Sequence, residues 1–239
     1  MSQMQDREKE QLQENQRERL HFAIAIDGPA GAGKSTIAKL LAKKYQFVYV
    51  DTGAMYRVVA LHGLRLGLDL DDEAVVSGYV NKLDIVLRYV DGVQQVFLDE
   101  ENVTEAIRTA EAGAGASRVA AHAAVREKLV DMQRQMAAQT SVVMDGRDIG
   151  THVLPNAQVK IYLDASAETR AWRRCNELEG LQLAADYDTI KFELEKRDAY
   201  DMNREISPLR QAADAVRIDT SDMTMDEVVA AICAVAEGK

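Results

Sequence analysis

The sequence has few cysteines, no long apolar run and no excess of positive charge, and each absence excludes a class of protein. Its two cysteines, Cys175 and Cys233, stand in separate helical patterns, and no Cys/His cluster has metal-ligand spacing. We therefore expect reduced thiols and no disulfide framework. The longest apolar run, Val228 to Ala236, is too short to span a bilayer. A net charge of −10 and a pI near 5.0 argue against general binding to nucleic acid or anionic membranes.

The first 20 residues are polar and almost without apolar side chains. Residues Met1 to Arg19 are rich in Gln, Glu and Arg, and their acids slightly outnumber their bases. This composition fits neither a secretory signal nor a buried element, so we expect a disordered or frayed tail over residues 1–20. The remaining chain, residues 21–239, is expected to be one cytoplasmic, monomeric domain without nucleic-acid or membrane partners.

Short apolar runs alternate with helical patterns along much of the chain. The apolar runs are Phe22–Ile26, Phe47–Val50, Val142–Met144, Val159–Leu163 and Ala215–Ile218. The helical patterns that follow them are Lys34–Tyr45, Met55–Gly67, Ala167–Leu178 and Met225–Ala236. Unalternating apolar runs suit strands that are buried on both faces. The pattern predicts an α/β fold, with a parallel five-stranded core sheet flanked by helices.

Residues 68–139 interrupt this alternation. Ile85–Val90 and Val93–Leu98 flank Asp91-Gly92, which predicts a β-hairpin with a tight turn. Glu105 to Gln139 is rich in alanine and has a helical pattern. We expect a lobe over about 68–139, inserted into a core formed by 21–67 and 140–239.

A glycine-rich phosphate-binding loop is the strongest local signal. Gly28-Pro29-Ala30-Gly31-Ala32-Gly33-Lys34-Ser35 matches the pattern G-x-x-x-x-G-K-[ST] and lies between a predicted strand and a predicted helix. The glycines allow successive backbone N–H groups to point at phosphate oxygens, and Lys34 supplies a cation. Ser35 opens the helix and can bind Mg²⁺, and Asp145, at the end of another apolar run, is the expected acidic partner of that ion.

The phosphate loop is shared by kinases, GTPases and ATPases, so it does not name the reaction. Asn81-Lys82-Leu83-Asp84 matches the guanine-binding N-K-x-D motif, but it precedes a predicted strand and lies inside the inserted lobe. No D-x-x-G occurs in the sequence to sense a γ-phosphate. We therefore interpret the N-K-x-D match as accidental.

Further polar motifs predict a second anionic ligand. Asp51-Thr52-Gly53-Ala54-Met55-Tyr56-Arg57 and Asp145-Gly146-Arg147-Asp148 both follow predicted strands, at the edge where open α/β sheets bind ligands. Arg197, Asp201 and Arg204 share one face of a helix predicted over Thr189–Ile206, and Arg170, Arg173 and Arg174 form a similar stripe. So many arginines in an acidic protein indicate a small anionic acceptor.

The sequence resembles bacterial cytidylate kinases from about residue 22 to the C-terminus. The segments that carry the resemblance are Phe22–Thr36, Asp51–Arg57, Ser117–Arg126, Asp145–Pro155, Val159–Ala165 and Lys196–Pro208. Asp-Gly-Arg-Asp-x-Gly-Thr and Arg-Asp-x-x-Asp-x-Asn-Arg are far more specific than the phosphate loop. The resemblance implies the P-loop nucleoside monophosphate kinase fold, with a monophosphate-binding lobe and a short lid over about 170–190. It also implies transfer of the γ-phosphoryl group of ATP to CMP or dCMP with Mg²⁺.

The resemblance also implies a role for each matching residue. Gly28 to Thr36 would bind the ATP phosphates, and Thr52 and Asp201 would hold the ribose of the acceptor. The acceptor phosphate and the transferring group would be surrounded by Arg57, Arg147, Arg197 and Arg204. Ser117, Arg126 and Asp148 would bind the base, and Arg173 or Arg174 would close on ATP.

Two alternative functions remain open from the sequence. One is a kinase for a different small acceptor, such as another nucleoside monophosphate or shikimate, although a shikimate kinase would be shorter and lack the large lobe. The other is a nucleotide-dependent switch or binding module without phosphoryl transfer. The absence of D-x-x-G and the many acceptor-side arginines argue against it.

Overall fold

The computed structural model of the protein describes residues 21–90, 93–180 and 182–238. The polar tail predicted over residues 1–20 and the tight turn predicted at Asp91-Gly92 lie outside these ranges. Within them, no helix combines the length and apolar composition needed to cross a bilayer.

Strands and helices alternate at both ends of the described chain, and a separate group of elements lies between them. In chain order the elements are β1 (Ala23–Asp27), α1 (Lys34–Tyr45), β2 (Val48–Asp51), α2 (Thr52–Arg65), α3 (Glu73–Val80), β3 (Ile85–Val90), β4 (Val93–Leu98), β5 (Glu101–Asn102), a 3₁₀ turn (Ala106–Arg108), α4 (Ala110–Val119), α5 (Ala123–Gln139), β6 (Val142–Gly146), a π-type turn (Ile149–Val153), β7 (Val159–Asp164), α6 (Ala167–Gly180), α7 (Tyr187–Asn203), β8 (Val216–Asp219) and α8 (Met225–Glu237).

The predicted five-stranded parallel sheet is confirmed. Its strands lie in the order β2-β6-β1-β7-β8, and every pairing is parallel. Asp51 is in register with Asp145, and Asp27 is in register with Gly146. The carboxyl ends of β1, β2 and β6 therefore meet at one edge of the sheet, where open α/β sheets bind their ligands.

Both faces of this sheet are buried, which explains why its strands read as unbroken apolar runs. Ile24, Ile26 and Val143 pack on one face with α1 and α8. Val142 and Met144 pack on the opposite face with Val130 of α5 and with the π-type turn. Successive residues of a strand point to opposite faces, so each strand contributes to two cores.

The elements between β2 and β6 build a second apolar core. The predicted hairpin is confirmed as β3 and β4, which pair antiparallel from Ile85–Leu98 to Val90–Val93, with β5 added at the edge of β4. This small sheet packs with α3, α4 and α5. It also packs with α2, which belongs to the segment 21–67 that was predicted to form the core. Helix α2 therefore links this core to the edge strand β2.

The predicted helix over Thr189–Ile206 is wrong at its end. Helix α7 runs from Tyr187 to Asn203, and Arg204 is its C-cap with φ −62° and ψ 145°. Pro208 disfavours a helical conformation for Ser207, whose φ is 47°. Arg197 and Asp201 share the helix as predicted, but Arg204 is placed by the loop beyond it.

Candidate active site

The phosphate loop connects β1 to α1, and its glycines are required by geometry. Gly28 has φ +148°, and a Cβ there would lie 1.9 Å from the backbone oxygen of Leu163. Gly31 and Gly33 have φ of +77° and +84°, in the left-handed region that disfavours other residues. The backbone therefore curls tightly into the N-terminus of α1, where free N–H groups and the helix dipole favour an anion.

Lys34, the first residue of α1, folds back over this loop. Its Nζ donates a hydrogen bond to the carbonyl oxygen of Pro29 at 2.6 Å. Burial, together with the charge of Arg147, lowers the pKa of Lys34 to about 7. An anion bound in the loop would favour the charged ammonium, so the position suits a phosphate ligand.

Ser35 and Asp145, the predicted metal ligands, lie side by side. The Ser35 hydroxyl donates to Oδ2 of Asp145 at 2.8 Å, and the Tyr49 hydroxyl donates to Oδ1 at 2.8 Å. Burial and the charge of Asp51 raise the pKa of Asp145 to about 6. Across the described ranges, no three acidic, histidine or cysteine side chains converge as a metal cage. This pair fits Mg²⁺, which needs only one or two protein ligands when phosphates and water complete its shell.

Arg147 and Arg197 bring positive charge to the same strand ends. The Nε of Arg147 donates to Oδ2 of the buried Asp201 at 2.8 Å. The Nε of Arg197 is buried without a hydrogen-bond partner among the described residues. Burial and the charge of Arg147 lower the pKa of Arg197 to about 10. Because the charges of Arg147 and Arg197 repel each other, a bound anion between them would be stabilising.

A second buried cluster joins Arg126, Asp148 and Arg204. Arg126 forms an ion pair and a short hydrogen bond with Asp148, and Nη2 of Arg204 lies 3.7 Å from the same carboxylate. The Nε of Arg204 is fixed by the carbonyl oxygen of Ser207 at 2.6 Å. Within the described ranges, Nε and Nη1 of Arg126 and Nη2 of Arg204 have no hydrogen-bond partner. The cluster therefore retains donors for a further acceptor.

An open cleft of about 3000 Å³ runs from the phosphate loop to the inserted elements. Arg57 of α2 and the half-buried Ser117 of α4 line it, as do Arg173, Arg174 and Arg197. Nη1 of Arg57 donates to the carbonyl oxygen of Ile107 at 3.2 Å. Burial lowers the pKa of Arg57 against the opposing charge of Asp51, and the charges of Arg108, Arg147 and Arg174 lower it further.

The predicted arginine stripe on α6 separates into three environments. Arg170 is buried in an ion pair with Asp198 at 2.6 Å and donates to the carbonyl oxygen of Ala30 at 2.9 Å. Arg173 donates to the hydroxyl and carbonyl oxygens of Thr220 at 3.0 and 2.6 Å. Arg174 has a 44% exposed side chain and forms a surface ion pair at 2.6 Å with its helix neighbour Glu177. The stripe is therefore not one functional surface.

Several contacts at the site were not predicted from the sequence. Thr52 is buried, and its hydroxyl donates to the backbone oxygen of Asp145 at 2.7 Å. Tyr49 holds Asp145, although an aromatic residue inside an apolar run gives no sign of this role. Asp27 contacts the segment after Asp148. Its place at a strand end, directly before Gly28, was a signal that could have identified it.

The phosphate loop ends at Ser35 with Asp145 beside it, and several arginines line the same cleft, which is the arrangement of a P-loop kinase for a small acceptor. The sequence profile of the cytidylate kinase family matches residues 24–238. The chain belongs to the cytidylate kinase family.

Relatives that carry the name cytidylate kinase match nearly the whole chain. The protein from Listeria innocua is 51% identical over 219 residues, covering 91% of this chain and 97% of its own. The protein from Pediococcus pentosaceus is 50% identical, with coverage of 90% and 96%, and that from Caldicellulosiruptor bescii is 52% identical, with 86% and 91%. Among solved structures, an uncharacterized protein from Eubacterium ventriosum has the same fold, with a TM-score of 0.51, 13% identity and coverage of 92% and 100%.

Proposed function

We propose that the protein transfers the γ-phosphoryl group of ATP to CMP and dCMP, giving CDP and dCDP. It would serve pyrimidine nucleotide metabolism in the cytoplasm, as a monomer. The observation that carries this proposal is the set of buried guanidinium nitrogens on Arg126, Arg197 and Arg204 that lack hydrogen-bond partners among the described residues. Buried donors of this kind are costly unless a ligand accepts from them.

The donor side is formed by the phosphate loop, residues Gly28 to Thr36. Its N–H groups and Lys34 bind the ATP phosphates, and the ammonium of Lys34 stays charged beside them. Ser35 and Asp145 would hold Mg²⁺, which neutralises charge on the β- and γ-phosphates when it is bound.

The acceptor phosphate is bound by Arg57, Arg147, Arg197 and Arg204. An oxygen of this phosphate attacks the γ-phosphorus in line, and the bond to the bridging oxygen of ADP breaks. No side chain takes part covalently, so the arginines act by positioning and by stabilising charge on the transferring oxygens. Arginine suits this role because its planar guanidinium stays charged and binds phosphate with two parallel hydrogen bonds.

The nucleoside is held by side chains after β6 and on α2, α4, α5 and α7. Asp201 and Thr52 bind the ribose, and their contacts with Arg147 and with the backbone of Asp145 tie the sugar site to the phosphate site. Ser117, Arg126 and Asp148 bind the base. The ion pair of Arg126 with Asp148 keeps a donor and an acceptor next to each other, which matches the N3 and amino groups of cytosine.

Of the two candidate lid arginines, Arg174 acts on the transferring phosphate. Its side chain is exposed in the cleft, and the surface ion pair that it forms with Glu177 costs little to break. Arg173 is held by two hydrogen bonds to Thr220 and would have to break both.

An ADP-release assay across CMP, dCMP, UMP, AMP, GMP and shikimate tests the proposed function. We expect turnover with CMP and dCMP that exceeds turnover with every other acceptor. Preference for AMP, GMP or shikimate would contradict the acceptor assignment, and ADP release without any acceptor dependence would contradict phosphoryl transfer to a small molecule.

A further inference from the structure

The carboxylate of Asp27 connects the phosphate loop to the segment that carries Asp148. Asp27 is the last residue of β1 and directly precedes Gly28. Its Oδ1 accepts from the backbone N–H of Ile149 at 2.8 Å, and its Oδ2 accepts from that of Gly150 at 2.8 Å. These two amides lie more than 120 residues away along the chain, so only the pairing of β1 with β6 brings them within reach.

The contact fixes the backbone immediately after Asp148. Asp148 has φ −146° and ψ 26°, which is neither extended nor helical. Its carbonyl oxygen accepts from His152 and Val153, so the π-type turn starts on this residue. With the next two amides held by Asp27, the direction of the Asp148 side chain toward Arg126 depends on a carboxylate from another strand.

The space around this contact is filled by protein atoms. A Cβ on Gly150 would lie 3.4 Å from Oδ2 of Asp27 and 3.2 Å from Cδ of Lys160. The Asp27 side chain is buried, and burial raises its pKa to about 7, against the two N–H donors and the charge of Lys34. Burying a carboxylate costs free energy, so the burial of Asp27 indicates that its two hydrogen bonds to the backbone are needed at this place.

We propose that Asp27 is a positioning residue that sets base selectivity, by holding the Asp148 segment at a fixed place relative to the phosphate loop. This proposal rests on the proposed function, in which Asp148 binds the base. Asp27 itself touches neither substrate. It acts through the backbone of Ile149 and Gly150, and so keeps the base-binding carboxylate in register with the donor site.

The test is the substitution Asp27→Asn, which keeps the shape of the side chain but places an amide N–H against a backbone N–H. We expect kcat/KM for CMP to fall about tenfold or more and the CMP-to-UMP ratio of kcat/KM to shrink, with KM for ATP changed less than about twofold. Hydrogen exchange at the amides of Ile149 and Gly150 should accelerate. Asp148→Asn, measured alongside, should shrink the same ratio.

Asp72→Asn is the matched control. The Asp72 carboxylate also accepts from two backbone amides, those of Ala74 and Val75, but at the start of α3 and away from the site. We expect this variant to leave the CMP-to-UMP ratio unchanged. If the Asp27→Asn protein does not fold, Asp27→Ser, which removes one of the two acceptor oxygens and leaves a smaller side chain, tests the same contact and is expected to shrink the ratio; an unchanged ratio in that variant overturns the inference.

The outcomes separate the two proposals. If Asp27→Asn slows CMP and UMP equally while Asp148→Asn shrinks the ratio, Asp27 is only structural and this inference is overturned, whereas base binding by Asp148 stands. If Asp148→Asn leaves the ratio unchanged, the assigned role of Asp148 fails. In that case the inference about Asp27, which acts through Asp148, is overturned with it, and the acceptor assay still tests phosphoryl transfer to CMP separately.

Discussion

Lys34 combines burial, a loop contact and a lowered pKa in one side chain. Its hydrogen bond to Pro29 shapes the phosphate loop, but its charge is disfavoured until an anion is present. The sequence predicted this residue from the loop pattern alone, because the spacing of glycines before Lys-Ser is set by local geometry. Contacts between distant residues, such as that of Tyr49 with Asp145, have no local pattern and could not be predicted.

We expect Lys34→Ala to lower kcat at least about a hundredfold while the protein stays folded, because the variant loses a cation at the transferring phosphate. Turnover and melting temperature are measured together. Lys44→Ala, at the exposed end of α1, is the control and should change neither. Unchanged turnover in Lys34→Ala would remove the phosphate loop from the mechanism.

The arginines of α6 give a second residue-scale prediction. Arg174→Met should lower kcat by about 10²–10³ with a small change in KM for CMP, because its charge is needed mainly in the transition state. Arg173→Met should lower kcat much less, since its guanidinium is held by Thr220. Steady-state kinetics of both variants test which arginine acts on the transferring phosphate. An equal or larger loss of kcat in Arg173→Met would contradict the assignment of this role to Arg174.

Helices α6 and α7 are anchored on the phosphate loop by a buried ion pair. Asp198 pairs with Arg170, and the two side chains also hold the N–H and carbonyl groups of Ala30. The sequence predicted both helices but not this anchor, because an arginine at helical spacing reads equally as solvated or buried. It also misjudged the end of α7, where the periodicity of Arg197, Asp201 and Arg204 continues past the last helical residue.

We expect Asp198→Ala to lower the free energy of unfolding by about 3–5 kcal/mol, because it leaves the buried Arg170 without its counter-charge. Urea denaturation measures this change. Glu168→Ala is the matched control, since Glu168 and Lys191 pair between the same two helices at the surface. Equal shifts of the urea midpoint in both variants would contradict the distinction between the buried and the exposed pair.

For the whole molecule, the sequence pattern predicts the secondary structure and the main sheet, whereas several contacts at the site depend on the tertiary structure. The five-stranded sheet follows from apolar runs that are buried on both faces, and the hairpin follows from its turn residues. The sequence predicted that Asp145 and Asp148 lie at the carboxyl edge of the sheet, but the contact of Asp27 with Ile149 and Gly150 depends on the pairing of β1 with β6, which the sequence pattern does not give. Arg204 reaches Asp148 from the end of α7, where the helix has already stopped, although the sequence predicted Arg204 inside the helix.

The polar tail gives a prediction for the whole molecule. Because Met1 to Arg19 lacks an apolar stripe, a variant without these residues should keep its activity and lose less than about 0.5 kcal/mol of stability. Thermal unfolding and CMP turnover of the two proteins are compared. A large loss of either would mean that the tail packs on the folded domain or on a partner.

The preference for cytosine over uracil tests the central claim most directly. Cytosine presents an amino donor and an N3 acceptor, and uracil reverses both, so uracil would set a carbonyl against the Asp148 carboxylate. A mismatch of this kind costs roughly 1–3 kcal/mol. We therefore predict that kcat/KM for CMP exceeds that for UMP by at least about tenfold and that Asp148→Asn reduces this ratio. A ratio near one in the native protein would contradict the account, and so would an unchanged ratio in Asp148→Asn.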